Sequence, residues 1–381
     1  MIMIEVTFWA MAALLIYIYA GYPLLLTVFA KIRPRPVELG TSSPAVTLVI
    51  SAFNEEDVIA EKLENSLAVD YPHEKLEIIV VSDASDDRTD EIVKTFMNQG
   101  VILLRMTDRG GKTLGLNEAV AKSSGEILVF SDANAMYQTD SVRMLVRNFE
   151  DLHVGAVVGE STYEVSTTDA EKSESAYWKY ETAIKRLESE IGSTVGGDGA
   201  IYAIRKELYQ PMAADALSDF VNPLQIVAQR RRCIYEQHAI SAEEAAGSYA
   251  KEFRRKIRIV NRAWRAMMSM KFMLNPFRFG LFAWALISHK LLRWLAPIFL
   301  FTAFVANVAL IGVHPIYIAT LVVQVSFYGL ALLGAAQREQ RIAPIMYIPY
   351  YFCLVNIASA RGIFEAYRGK TYATWSTARA D

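Results

Sequence analysis

Three times between Val46 and Asn134 the chain runs through a short, unbroken apolar stretch that stops at a cluster of small polar or acidic residues. Val46-Thr-Leu-Val-Ile leads to Ser51-Ala-Phe-Asn-Glu55, Ile78-Ile-Val-Val leads to Ser82-Asp-Ala-Ser-Asp-Asp87, and Ile127-Leu-Val-Phe leads to Ser131-Asp-Ala-Asn134. Val- and Ile-rich runs without polar alternation read as strands buried on both faces, hence as a parallel sheet. Open parallel sheets bind ligands where their strands end. Three carboxylate-bearing clusters at three such ends therefore describe a pocket for a nucleotide and a metal.

The intervening segments fit crossover helices. Glu55 to Ala68 carries Val58, Ile59, Leu63 and Leu67 near a 3.6-residue period, and Thr89 to Met97 carries Ile92, Val93 and Phe96. Val101 to Leu104 and Val154 to Val158 read as further strands, and Lys112 to Ala121 as a helix. The bland alternative is an ordinary α/β domain whose strand-end polar residues only cap helices. Three such clusters in order count against it.

This series resembles the family 2 glycosyltransferases of the GT-A fold. Ser51-Ala-Phe-Asn-Glu-Glu56 is similar to their Pro-x-x-Asn-Glu-Glu opening, with Ser51 where proline is usual. Ser82-Asp-Ala-Ser-Asp-Asp-Arg-Thr89 resembles their Asp-Asp-Gly-Ser-x-Asp-x-Thr turn, lacking its first Asp and its Gly. Arg109-Gly-Gly-Lys112 resembles the Gly-Lys before the next helix, and Asp132-Ala-Asn134 stands where their Asp-x-Asp stands. The resemblance runs from about Val46 to Trp264. It implies a GT-A α/β domain with a mostly parallel sheet at residues 45–245. It also implies a donor-binding set of Ala52, Asn54, Glu55, Asp83, Lys112 and Asp132, in which Asp83 contacts the base, Glu55 the nucleoside and Lys112 the base or diphosphate.

The chemistry asks for these residue types. A nucleoside diphosphate leaving group gains negative charge as the glycosyl bond breaks, and Mg2+ or Mn2+ on oxygen ligands can neutralise it. Asp132 supplies the charged oxygen, while Asn134 offers an amide carbonyl or acts through water. Further on, Leu217-Ser-Asp-Phe-Val-Asn-Pro223 resembles the family's acidic motif, whose Asp, here Asp219, is the general base toward the acceptor hydroxyl. A lone Asp in such a place is otherwise a helix cap. One well-placed carboxylate suffices to deprotonate an attacking alcohol. No second carboxylate is evident as a nucleophile, so the resemblance implies a single displacement with inversion.

Tyr177 to Glu188 reads as a helix ending in Ser193-Thr-Val-Gly-Gly-Asp-Gly199, where three glycines in four positions imply close backbone approach or positive φ. The matching segment of the family lies beside the acceptor, which makes Gly197 and Asp198 acceptor-side candidates. Lys251 to Met268 carries Phe253, Ile257, Val260, Trp264 and Met267 as a helical stripe among seven cations and one acid, Glu252. A basic helix with such a stripe suits the headgroup layer of an anionic membrane, so residues 246–292 are expected to be interfacial helices. A nucleic-acid partner is not expected from this charge run. Arg255-Lys-Ile-Arg258 also resembles the Arg-x-x-Arg part of the family's Gln-x-x-Arg-Trp region, with Ile259 in place of Trp, which adds Arg255 and Arg258 to the acceptor side. That motif accompanies chain-elongating synthases, so its departure here bears on processivity.

The membrane signals need no family. Val6 to Ala30 is uncharged, long enough to cross the hydrocarbon core, and lacks the features of a removed signal peptide. An N-terminal crossing at residues 1–31 is followed by Lys31-Ile-Arg-Pro-Arg35, which places the catalytic domain in the cytosol of an integral protein of the cell membrane. Trp294 to Val313, Pro315 to Ala336 and Ile342 to Ala360 are further candidates within residues 293–365, while Phe279 to Ser288 reads as a short interfacial piece. Arg338 and Arg341 follow the second of these. Three crossings after the domain would put Arg361, Arg368 and Lys370 outside, against that bias, unless the Ile342 segment is re-entrant. The tail, residues 366–381, carries Trp375 and Arg379 and resembles the family's Gly-x-x-Trp-like end near the cytosolic face.

A net charge of −2 and two distant cysteines, Cys233 and Cys353, indicate no disulfide framework and no zinc site. Two function classes remain. One is a membrane-bound transferase passing a sugar from a UDP-sugar to a growing polysaccharide or a lipid-linked acceptor. The other is a transporter with a degenerate nucleotide domain, which needs charged or broken residues inside its spans; Asn356 and Gln324 are nearly all they offer. Within the first class, a chain exporter needs a channel that is thin for one chain or demands a homo-oligomer, whereas transfer of one sugar to a lipid needs none.

Overall fold

The computed structural model describes residues 1–163, 169–243, 248–337 and 343–374. Arg338, Arg341, Trp375 and Arg379 lie outside the described residues. One eight-stranded sheet organises the chain, in the order β3-β2-β1-β4-β7-β6-β8-β5. β1 (Val46–Ala52), β2 (Leu76–Ser82), β3 (Val101–Arg105) and β4 (Ile127–Asp132) are parallel, as their unbroken apolar runs predict. β7 (Tyr202–Arg205) then reverses direction, antiparallel to both β4 and β6 (Val154–Tyr163). β8 (Arg232–Glu243) runs parallel to β6, and the two-residue β5 (Met136–Tyr137) closes the edge antiparallel to it. The sheet is thus mixed, and the reversal was not visible in the apolar runs.

Register brings the polar clusters together. Ala52 stands opposite Ser82, Ser51 opposite Asp132, and Ser82 opposite Arg105, so all three clusters emerge at one edge. Side-chain alternation divides the core in two. Leu48, Ile50, Ile78, Val80 and Val129 pack on one face with Ile59 and Leu63 of helix Ile59–Leu67 and Val93 of helix Thr89–Thr95. Val49, Ile79, Val81, Leu128 and Phe130 pack on the other face with Tyr22, Leu26, Phe282 and Leu286. Fully burying one such side chain contributes roughly 1.5–3 kcal/mol. The sheet therefore shares its second core with helices whose far ends leave the domain.

Among the described residues three helices are long and apolar enough to cross a membrane: Ile2–Ile32, Leu281–Ala309 and Pro315–Ala336. The second corrects an expectation. Phe279 to Ser288 is not a separate interfacial piece, because Leu281 onward continues through a π-turn at Leu286–Leu291 into one helix. Its polar residues His289, Lys290 and Arg293 do not interrupt it because buried Glu181 and Glu188 of helix Asp169–Ile191 receive them.

The basic helix, Tyr249–Ser269, corrects another. Ser248 caps it, its Oγ accepting from Lys251 N at 3.3 Å. Its apolar stripe faces protein: Ile257, Val260, Trp264 and Met267 are buried, largely beneath the last helix, Pro344–Tyr367. The two backbones meet where Gly362 has no side chain, since a Cβ there would stand 2.8 Å from Ile257 O. Trp264 packs at 5.9 Å between ring centroids against Tyr367. An apolar helix face is satisfied by any apolar partner, and here a second helix supplies it before lipid can. That last helix is not among the three apolar enough to cross, and it runs beside the basic helix from Tyr350 near Tyr249 to Tyr367 near Trp264. Its C-terminal extension returns to the catalytic domain, with Lys370 O accepting from Asn261 Nδ2 at 3.2 Å and Ala373 against Gly111. Residues 370–373 therefore lie on the domain's side.

Candidate active site

Two strand-end loops interlock to make the pocket wall. Asn54 adopts φ +53°, a left-handed conformation that Asn tolerates better than most residues. Its Oδ1 accepts from Asp86 N at 3.0 Å and its own N–H donates to Ser85 Oγ at 3.2 Å. Next to it, Glu55 N donates to Thr89 Oγ1 and Glu56 N to Asp87 Oδ2. These bonds hold residues 54–57 as a loop, so the helix expected from Glu55 starts only at Ile59. Ala52 contributes its carbonyl, which accepts from Asp83 N at 2.9 Å. The buried Asp83 carboxylate in turn accepts from Gly110 N at 2.8 Å and Gly111 N at 3.0 Å, fixing the turn that precedes Lys112. Gly111 needs its freedom, with φ +88° and Ala373 packed where a Cβ would stand. Arg109 lies over the Phe53 ring, 3.7 Å from its centroid.

The centre of the site is defined by an absent side chain. A Cβ placed on Gly199 would lie 3.4 Å from Lys112 Nζ, 3.5 Å from Asp132 Oδ2 and 3.8 Å from Asp219 Oδ2. Lys112, Asp132 and Asp219, from three separate motifs, thus converge on one open point. The Lys112 ammonium is ion-paired to Asp132 Oδ1, so a cation already stands where that carboxylate would hold one. Asn134 is half-buried on the turn after β4. Among the described residues no group of three His, Cys, Asp or Glu forms a ready-made metal cage. This donor set fits an ion such as Mg2+ or Mn2+ that takes one or two protein ligands and completes its shell with water and phosphate oxygens.

Asp219 stands near the start of helix Ser218–Ala228, with its Oδ1 buried and without a hydrogen-bond partner among the described residues. A buried carboxylate oxygen left without a donor is costly and needs an explanation; an incoming hydroxyl would provide one. Burial raises its pKa above the usual carboxylate range, Lys112 and Arg262 oppose that, and Asp198 and Asp132 add to it. Gly197 donates its N–H to Asp219 O at 2.6 Å, which couples the glycine loop to the candidate base. Asp198 is turned elsewhere, its Oδ1 accepting from Ala200 N at 3.2 Å and its Oδ2 standing 3.7 Å from Lys185 Nζ.

The basic helix gives its two expected arginines different partners. Arg255 is bound by Glu252 at 2.8 Å. Arg258 is half-buried, its pKa lowered first by burial and next by Arg255, with Asp132 and Asp219 opposing that, so it faces the carboxylates. Arg262 donates to Thr113 Oγ1 at 3.2 Å and to Asp215 O at 3.2 Å, tying this helix to the one that begins at Lys112.

Two charged residues escaped the sequence reading. Lys62 is fully buried beneath the Asp132 turn, donating to Ala135 O, with its Nζ 4.0 Å from the Tyr137 ring centroid. Burial pushes its pKa down to about 7, against the attraction of Asp132 and Glu243. Burial, then the charges of Asp132 and Asp198, pushes Glu243 up to about 8. A lysine on an otherwise amphipathic helix gives no sequence signal of burial, and only the β5 edge folding over it encloses it. Lower down, Glu188 Oε1 accepts from Tyr22 Oη at 2.6 Å and pairs with His289 Nδ1 at 2.7 Å, while its Oε2 accepts from Val195 N at 3.0 Å. The glycine loop is thereby anchored on two apolar helices.

Comparison with known proteins agrees with this geometry. Residues 47–210 match the family model described as Glycosyl transferase family 2. The beta-monoglucosyldiacylglycerol synthase of Trichormus variabilis is 33% identical over 141 residues, 36% of this chain and 30% of that protein. A probable glycosyltransferase of Bacillus subtilis is 35% identical over 138 residues, covering 35% and 33%. The poly-beta-1,6-N-acetyl-D-glucosamine synthase of Staphylococcus aureus (strain MSSA476) is 33% identical over 116 residues, covering 30% and 28%. The matches span about a third of each relative's length. A mannosyltransferase from Pyrobaculum calidifontis, solved with GDP-Man and Mn2+, superposes with a TM-score of 0.74 at 23% identity, over 96% of this chain and 99% of that one, and shows the fold. Residues 47–210 thus match a family 2 glycosyltransferase domain, the chain has a GT-A fold, and among the described residues three helices are fit to cross a membrane.

Proposed function

We propose that this protein is a membrane-bound inverting glycosyltransferase that moves one sugar from a nucleotide sugar, a UDP-sugar by preference, onto a lipid-linked acceptor. The observation that carries the reading is the convergence of Lys112, Asp132 and Asp219 on the open point at Gly199. The donor diphosphate lies against Lys112, with Asp132 and Asn134 as ligands of Mg2+ or Mn2+, and the nucleoside lies between the loops at Asn54, Glu55 and Asp83. The bound metal supplies charge neutralisation to the departing diphosphate. Asp219 Oδ1 receives the proton of the acceptor hydroxyl as its oxygen attacks the anomeric carbon, and the nucleoside diphosphate leaves from the opposite face. Arg258, an acceptor-side candidate, offers a further positive charge beside Asp132 and Asp219.

A lipid-linked acceptor is supported by the glycine loop. Through Val195 and Glu188 that loop sits on Tyr22 and His289 of two apolar helices, so an acceptor held in a bilayer reaches Asp219 without leaving it. The positive residues after Ile32 suit a cytosolic domain at the cell membrane. Polysaccharide synthesis is the second reading, favoured by the similarity to the Staphylococcus aureus synthase. The test is to supply native membranes containing the protein with a panel of radiolabelled nucleotide sugars. Label in an organic-soluble product carrying one sugar supports the first reading; label in a polymer supports the second, and no transfer from any donor defeats both.

A further inference from the structure

Away from the catalytic pocket, a cleft of about 610 Å3 lies between the catalytic sheet and the elbow that leads into helix Leu281–Ala309. Its polar wall is formed by Arg35, Arg230, Arg231 and Arg232, and its apolar wall by Phe279 and Phe282. Three of the arginines are held by backbone carbonyls. Arg230 donates to Arg278 O at 2.8 Å, Arg231 to Leu152 O at 2.7 Å, and Arg232 to Gly192 O and Arg35 O, each at 2.8 Å. Among the described residues none of the four forms an ion pair. The single acid of the wall, Asp151, has its Oδ1 engaged by His153 N at 2.8 Å. Burial first, and the like charge of Arg35 second, holds Arg232 below the usual arginine pKa, with Asp151 opposing them. Arg230 also sits at φ +65°, in the left-handed region that favours glycine. Such strain persists where the surroundings impose it, and it clusters at functional positions.

The position of the cleft selects its occupant. It opens where one apolar helix ends, at Ile32, and another begins, at Leu281, both exposed. Beside it Phe277 is 100% exposed, on the four-residue turn Pro276–Phe279. An aromatic side chain wholly out of the protein, next to four arginines without an ion pair among the described residues at the ends of two candidate crossings, marks the level where hydrocarbon gives way to headgroups. Arginine forks match phosphate oxygens, and the phenylalanine wall matches the first acyl carbons. The structure assigns this cleft to the phosphate headgroup of an anionic phospholipid, bound apart from the donor and acceptor of the reaction. The site does not depend on which sugar is transferred.

The full chain, purified in neutral detergent, is titrated with phosphatidylglycerol and with phosphatidylcholine of the same acyl chains, and the lipid retained per protein is counted by native mass spectrometry. Retention of phosphatidylglycerol over phosphatidylcholine is expected, weakened about fivefold for each arginine replaced in R35Q and in R35Q/R231Q, the fold-change equivalent to about 1 kcal/mol per cation near a lipid surface. Nucleotide-sugar binding should stay unchanged in both variants. Should the double variant unfold, R35Q alone decides, because the Arg35 side chain is exposed and its replacement leaves the fold intact. Equal retention of the two lipids by the unaltered chain would overturn the assignment, as would phosphatidylglycerol affinity unmoved in the variants. Displacement of the lipid by inorganic phosphate or glycerol phosphate at millimolar concentration would also overturn it, showing a site for free anions.

Discussion

Replacing Gly199 by alanine separates folding from chemistry. The new methyl would meet Lys112 Nζ at 3.4 Å, Asp132 Oδ2 at 3.5 Å and Asp219 Oδ2 at 3.8 Å, all ordinary van der Waals distances. Gly199 is not in the left-handed region, so the backbone accepts a Cβ, and loss of unfolded-state freedom should leave stability unchanged or raised by about 0.4–1 kcal/mol. The same methyl occupies the point on which the three charged groups converge. A reacting centre displaced by about 1 Å loses on the order of 10²-fold in rate, or about 2.7 kcal/mol of barrier at 1.36 kcal/mol per decade. Gly197→Ala is the contrasting variant. Its Cβ would stand 2.6 Å from Asp219 O, a backbone atom that has to move, so stability and activity should fall together. Thermal unfolding in detergent is measured beside transfer from a radiolabelled nucleotide sugar. Wild-type kcat/KM in Gly199→Ala would mean that substrate does not pass through this point, and the assignment of Asp219 and Asp132 to one reaction centre would fall.

Asp219→Asn should keep nucleotide-sugar affinity and lower transfer by roughly two to four orders of magnitude; collapse of binding along with rate would make Asp219 structural. A base works ionised, and burial raises this carboxyl above the usual range. Wild-type kcat should therefore rise with pH through that elevated pKa, and the limb should vanish from the residual activity of Asp219→Asn. Asp132→Ala should abolish metal-dependent transfer, whereas Asn134→Asp should lower the Mn2+ concentration for half-maximal activity several-fold; an unmoved midpoint in the second would place Asn134 off the metal. Gly111→Ala combines φ +88° with a Cβ in the space of Ala373, so it should weaken donor binding in equilibrium dialysis. Full affinity there would separate the C-terminal segment from the donor site.

What the amino-acid order determined by itself is local. Unbroken Val and Ile runs made β1, β2 and β4 parallel strands, and because each run stops at its polar cluster, register alone carries those clusters to one edge. Apolar length likewise determined the helices fit to cross a membrane, since backbone groups in hydrocarbon have few alternatives to a helix. The tertiary structure decided what depends on a partner distant in sequence. Insertion of the antiparallel β7 between β4 and β6 delivers Gly199 to Asp132, which no periodicity encodes. The stripe of the basic helix states that an apolar surface will be covered but not by what, and Pro344–Tyr367 covers it. Burial of Lys62, and of His289 between Glu181 and Glu188, follows the same rule. A charged side chain looks solvated in sequence until the fold brings the counter-charge or the carbonyl that lets it leave water.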